Sequence, residues 1–327
     1  MNINRYYIII TILALLIGGT LYLGRSTAES NRPISWGVTY SQDFAQKLGL
    51  DWRQTYLAIL DDLKIKKIRL IARWPEIEPI ENGFDWADLD WQVAQAAAQD
   101  VKIILAVGHK VPRWPECHQP DWVQDRRTAL LEYIEAVVNH YKNNLAIEIW
   151  EVENEPFLPF GECPPLDIEL LDEEIALVKE LDQRPVLLTD SGELSIWVRA
   201  ASRGDIFGTT MYRWVWNKYL GSYKYPIPPS FFRAKERLAR LFVGREKPFI
   251  VIELQGEPWT HKQIYEISLQ EQLELMPLAE FTDLINYAKK TGFNEYYLWG
   301  VEWWYSLKTQ YGHPEYWEYI KHLAESS

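Results

Sequence analysis

From about residue 30 onward, short aliphatic runs alternate with longer stretches in which apolar residues recur every three or four positions. The runs have the length and the β-branched content of buried parallel strands. The stretches between them have the period of helices packed by one face. Strands are expected at Ile34 to Thr39, Lys67 to Ala72, Lys102 to Val107, Ala146 to Val152, Pro185 to Thr189, Ile206 to Met211, Phe249 to Ile252 and Glu295 to Trp299. Helices are expected at Trp52 to Leu63, Ala87 to Gln99, Arg127 to Tyr141, Glu169 to Leu181, Leu194 to Ser202, Phe231 to Phe242, Leu278 to Lys290 and Glu315 to Ala324. Eight strands, each followed by a helix, predict a closed (β/α)8 barrel in one domain, residues 30–327. A doubly wound open sheet is the competitor. It needs a Gly-rich phosphate-binding turn after the first strand, and Trp36-Gly37-Val38-Thr39-Tyr40 stands there instead.

In such barrels chemistry sits at the C-terminal ends of the strands and in the loops after them. Two of those connections are long, Tyr212 to Ser230 and Leu254 to Pro277, which marks them as expected binding loops.

Residues 1–29 differ from the rest. Tyr6 to Gly24 is uncharged and mostly aliphatic, between Arg5 and Arg25, and long enough to cross a hydrocarbon core of about 30 Å. It predicts a transmembrane anchor; Ser26-Thr27-Ala28 offers the alternative of a cleaved signal segment. Both put the remaining chain outside the cytoplasm, tethered to the membrane or secreted.

Composition adds exclusions. The chain is 47% hydrophobic and 24% charged, as expected of a packed globular protein. A net charge of −12 gives no basic footprint for nucleic acid and disfavours anionic polymers. The only cysteines, Cys117 and Cys163, fall in loops on the same face of the expected barrel, where they can pair or remain separate thiols.

Two glutamates end strands on opposite sides of the expected mouth. Glu155 follows the fourth strand in Trp150-Glu151-Val152-Glu153-Asn154-Glu155-Pro156, and Glu253 closes the seventh in Ile250-Val251-Ile252-Glu253. One protonated and one ionised carboxyl suit glycosidic bond cleavage, and retention of configuration needs them about 5 to 5.5 Å apart. Glu257 is the rival to Glu253, and Glu151 and Glu153 stand close to Glu155 on what alternation makes the same strand face.

On Asn154-Glu155-Pro156 and the strand-closing Glu253, the sequence resembles the clan A retaining glycoside hydrolases. The resemblance implies Glu155 as general acid/base, Glu253 as nucleophile, a carbohydrate substrate with β-linkages, and no metal or organic cofactor. It implies that Arg69 is a fixed cation beside the nucleophile, with Arg73 as its rival, and that His109 lines the mouth, with Lys110 and His118 as rivals. It further implies that Asn154 bonds the sugar 2-hydroxyl, Tyr212 bonds Glu253, and Trp299 floors the subsite of cleavage. Sixteen tryptophans, several at strand ends, fit sugar stacking, although a plain core accounts for some. Transfer to a second sugar in place of water uses the same residues. Two other readings stay open: a metal-dependent barrel hydrolase or isomerase with His109, Glu155, Asp190 and Glu253 as ligands, and a surface-anchored carbohydrate-binding barrel without catalysis.

Overall fold

A computed structural model of the chain describes residues 33–244 and 246–325. The apolar run Tyr6 to Gly24, with the anchor or signal expected there, lies outside them. Among the described residues no helix is long and apolar enough to cross a membrane.

Among the described residues ten strands occur: β1 Ser35–Thr39, β2 Lys67–Ile71, β3 Lys102–Val107, β4 Ile147–Val152, β5 Val186–Asp190, β6 Ile206–Met211, β7 Trp214–Asn217, β8 Gly221–Lys224, β9 Phe249–Gln255 and β10 Glu295–Trp299. All except β7 and β8 pair in parallel into a closed barrel, in the order β1-β10-β9-β6-β5-β4-β3-β2. The expected (β/α)8 barrel is therefore present.

Strand alternation divides the apolar residues into two layers. Ile104, Ile149, Leu187, Ile250, Ile252 and Tyr297 fill the barrel interior. Their strand neighbours, among them Ile103, Leu105, Trp150 and Val251, join the larger core under the helices. The helices start and stop where local chemistry directs. Asp51 caps Trp52–Asp61 by accepting from the amides of Arg53 and Gln54, and Asp167 caps Ile168–Leu181 by accepting from Leu170. Gly292 ends Leu278–Thr291 in the left-handed region, at φ +81°.

Three expectations change. The helix expected over Leu194 to Ser202 shrinks to Val198–Ala201. Ser191 takes over the preceding residues: its Oγ accepts from the Leu194 amide, and its carbonyl accepts from the Ser195 hydroxyl and the Trp197 indole. The connection Tyr212 to Ser230 holds the antiparallel hairpin β7–β8, whose turn is set by Asn217 Oδ1 accepting from the amides of Tyr219 and Leu220. The last two strands of the barrel are followed by helices at Leu269–Leu275 and Val301–Gln310 as well as those expected.

Candidate active site

Glu253 reaches the mouth through a break in β9. Ile250 and Ile252 point into the barrel, so alternation would turn Glu253 outward. The registers show an irregularity here: Thr209 pairs with Val251 but Thr210 with Glu253, and Tyr296 pairs with Val251 but Leu298 with Leu254. The extra residue is a β-bulge, and it aims Glu253 inward and Leu254 outward. There Glu253 Oε1 accepts from Arg69 Nη1 at 2.6 Å, and Oε2 accepts from the Tyr212 hydroxyl at 3.0 Å.

Arg69 organises the floor of the mouth. Its side chain is 0% exposed. Its Nε donates to Glu151 Oε2 at 2.6 Å, and its Nη2 donates to Glu151 Oε1 and to Asn154 Oδ1. Arg73, the rival, instead faces Asp43 and Glu76.

The end of β4 breaks alternation differently. Glu153 and Glu155 both adopt left-handed backbone, at φ +56° and +44°, uncommon for residues with a Cβ. Glu151 stays in the barrel with Arg69. The Glu153 carboxylate instead accepts from the amides of His109 and Lys110, and its charge meets Glu174 of the helix Ile168–Leu181. Glu155 turns back to the mouth, where its Oε1 accepts from the Thr210 hydroxyl at 3.1 Å and its amide donates to Thr189 Oγ1 at 2.7 Å. Glu151 in β4 and Glu153 and Glu155 just after it thus do not share a face.

The remaining expected residues fall in several places. Asn154 lies between Arg69 and Glu116, donating from Nδ2 to Glu116 Oε2 at 3.0 Å. His109 lines a separate cavity of about 670 Å³ with Arg126, Glu153, Glu174 and Arg199. His118 bonds the Arg113 carbonyl, and Lys110 Nζ donates to the carbonyls of Glu155 and Leu158 at 2.9 Å each. Trp299 is buried; its indole donates to Glu257 Oε1 at 2.8 Å and its ring lies 4.1 Å from the Arg113 guanidinium. Glu257 is thereby committed to Trp299 and Arg113, and Arg113 also pairs with Glu302 at 2.8 Å. Asp190 accepts from the Ser191 amide, apart from His109. Among the described residues no group of three or more His, Cys, Asp or Glu is placed to hold a metal ion.

Loops close over this floor. Cys117 and Cys163 are disulfide-bonded, Cα atoms 5.2 Å apart, tying the loop after β3 to the loop after β4. An aromatic chain runs along the rim from exposed Trp114 through Phe160 and Trp259 to Tyr212, with centroid separations of 5.9, 5.5 and 5.0 Å. Glu116, Arg113, Thr189 and Thr210 escaped the sequence reading, which named Glu151 only as a neighbour of Glu155. Alternation along β2 and β4 was the signal for an Arg69–Glu151 pair; loop residues such as Arg113 carried none.

Electrostatics separate the carboxyls. Burial, then the charges of Glu253 and Glu116, push the Glu155 carboxyl well above the usual range, which favours its protonated form. Burial also pushes Glu116 up to about 7. Burial and nearby Arg126 lower His109 to about 4, so its ring is neutral at pH 7. Tyr212 is raised by burial and then by Glu253, and so remains a hydroxyl donor.

Residues 70–163, from β2 through the loop after β4, match the family model of glycosyl hydrolase family 10. No curated protein matches the chain by sequence. Among solved structures, GH5_18 from Bifidobacterium longum subsp. longum in complex with Manβ1-4GlcNAc aligns at 15% identity and TM-score 0.58, over 81% of this chain and 68% of that one. An exo-β-1,4-mannosidase from Opitutaceae bacterium strain TAV5 aligns at 15% identity and TM-score 0.54, over 82% of this chain and 52% of its own. Xylanase 10B from Thermotoga petrophila in complex with xylobiose aligns at 16% identity and TM-score 0.51, over 81% and 82%. This chain spans about half of the mannosidase. It is similar to glycoside hydrolases in sequence over β2 to β4 and in fold over 81–82% of the chain.

Proposed function

We propose that the chain is a retaining glycosidase acting on β-linked sugars outside the cytoplasm. One observation carries the reading. Glu253, bonded by a buried guanidinium and a phenol hydroxyl, shares the mouth with Glu155, whose surroundings favour the protonated acid. A carboxyl held as its acid, beside a second carboxyl that accepts from a guanidinium and a phenol hydroxyl, is the pair that double displacement requires.

In the first step Glu155 gives its proton to the leaving oxygen while a Glu253 oxygen attacks the anomeric carbon, forming a glycosyl ester. In the second, Glu155, now ionised, takes a proton from water. The water oxygen attacks the same carbon and releases Glu253. A sugar hydroxyl in place of water gives transfer. Asn154 is assigned to the sugar 2-hydroxyl, Trp299 to the floor of the subsite and the rim aromatics to further sugar rings. His109 acts through its amide, which fixes Glu153 behind the β4 loop. The Cys117–Cys163 disulfide supports an oxidising compartment, and Tyr6 to Gly24 is assigned as the tether that places the barrel there.

The test is turnover of a panel of aryl β-glycosides and β-glycans by the parent chain, Glu155→Ala and Glu253→Ala. We expect hydrolysis with retained configuration in the parent, loss of at least about a thousandfold in both variants, and azide rescue of Glu253→Ala with inverted product. A folded parent that turns over nothing on the panel, or releases an inverted sugar, would overturn the proposal.

A further inference from the structure

The mouth holds one more acid than two-carboxyl chemistry uses. Glu116, in the loop after β3, is only 7% exposed. Its Oε2 accepts from Asn154 Nδ2 at 3.0 Å, and it has no ion-pair partner among the described residues. The nearby cations are otherwise engaged. Arg69 pairs with Glu151 and Glu253, and Lys110 directs two of its three hydrogens to the carbonyls of Glu155 and Leu158.

The loop is built to hold this side chain in place. Glu116 sits at φ +75°, a costly conformation for a residue with a Cβ. Its amide bonds the Arg113 carbonyl at 2.8 Å and its own carbonyl accepts from Val111 at 2.9 Å. Cys117 next to it is tied to the β4 loop, and that loop crosses over it at Gly161, where an added Cβ would come within 2.6 Å of Glu116 Cβ. A buried carboxylate without a counter-ion is expensive. Burial, and after it the balance of Lys110 and Glu253, accordingly leaves Glu116 near 7, poised between its two forms. A cationic ligand would complete the site, and the net charge of −12 favours approach of cationic over anionic glycans.

We propose that Glu116 is a substrate-binding residue that selects for an ammonium group on the sugar carbon next to the reacting one, making β-linked 2-amino-2-deoxyglycosides the preferred substrate class. The position rests on the glycosidase reading above, in which Asn154 meets the substituent at that carbon. Glu116 Oε2 lies 3.0 Å from Asn154 Nδ2, which places its carboxyl next to the side chain assigned to the substituent at that carbon. An ammonium supplies the missing charge; a hydroxyl or acetamide supplies only a neutral donor.

The experiment compares kcat/KM for aryl β-glucosaminide, β-glucoside and β-N-acetylglucosaminide, in the full chain and in Glu116→Gln, at about pH 7, where an amine of ordinary basicity is still largely protonated and Glu116 is substantially ionised. The parent is expected to prefer the free amine by about ten- to a hundredfold, and the ratio to collapse toward one in Glu116→Gln. Equal turnover of the three sugars by the parent overturns the proposal without any variant, as does a preference that survives in folded Glu116→Gln. Calorimetric titration with β-1,4-glucosamine and β-1,4-glucose oligomers separates this from the catalytic reading. Selective binding of the amine, lost in Glu116→Gln, supports Glu116 even where nothing is hydrolysed, and equal binding of the two oligomers counts against it.

Discussion

Arg69 Nη1 stands 2.6 Å from Glu253 Oε1, and the opposite edge of the same guanidinium is clamped by Glu151. All three groups are buried, so the cation serves two carboxylates of which only one faces a substrate. Removing one partner of such a group is costlier than removing the group. Arg69→Met is expected to lose about 3 to 5 kcal/mol in urea unfolding and to abolish turnover. Adding Glu151→Gln, which removes the stranded charge, should recover part of the stability and none of the activity. Recovery of activity in the double variant would show that Arg69 acts on the fold and not on Glu253.

Much of the fold was legible because a parallel strand buried on both faces reads as an apolar run, and all eight barrel strands did. The site was legible only as far as alternation and motif reached. Ile252 and Glu253 are consecutive and both face inward, which a period of two forbids; the β-bulge that permits it has no signature in Ile250-Val251-Ile252-Glu253. Glu151, Glu153 and Glu155 looked equivalent, and left-handed backbone at the latter two sends them different ways. Arg113 and Glu257 come from two separate loops and Glu302 from the first turn of the helix Val301–Gln310, and nothing local to any of them encodes that meeting.

Gly108 lies between His109 and the strand that precedes it, at φ +127°, and an added Cβ would stand 2.5 Å from Glu153 Oε1. That oxygen is the one the His109 amide holds. Gly108→Ala should therefore displace Glu153 and, through it, the backbone that carries Glu155. Gly221 in the hairpin is a matched control, at φ +68° with nothing within 4 Å of the added Cβ. Gly221→Ala is expected to cost about 1 to 2 kcal/mol with activity retained. Gly108→Ala should cost more and lose activity, read by thermal melts and turnover side by side; similar costs would refute the role given to Glu153.

The Cys117–Cys163 bond closes a loop of 46 residues that spans β4's approach and both mouth loops. By loop-closure entropy such a link stabilises by about 4 kcal/mol, and measured values run from about 2 to 4. Replacing both cysteines by serine should lower stability by that amount. Because Glu116 and Glu155 ride on the two joined loops, turnover should also fall, through kcat more than through KM. A stable double variant with unchanged kcat would separate the disulfide from the site.

Glu155 predicts the pH dependence. Its folded pKa lies above the usual carboxyl value, so the acid form needed for the first step persists as pH rises past the range where an ordinary glutamate ionises. On substrates with poor leaving groups, the alkaline limb of activity should report Glu155 losing its proton. Substrates whose leaving group needs no proton should show a weaker limb. Burial is the main cause of the shift and remains in any surface-neutral variant, but the charge of Glu116 contributes after that of Glu253. Glu116→Gln removes that charge and should move the limb to lower pH, while Lys110→Met removes an opposing charge and should move it higher. Stability follows the same carboxyls. Glu116 and Glu302 are raised to about 7, so the folded chain binds more protons than the unfolded one between about pH 4.3 and 7, and their contribution declines as pH rises through that window. Glu302→Gln should flatten this slope in melts across the window without moving the alkaline limb of turnover, because its partners are Arg113 and the Ser41 amide and not Glu155. A limb that shifts with Glu302→Gln and not with Glu116→Gln would assign the titration to another group.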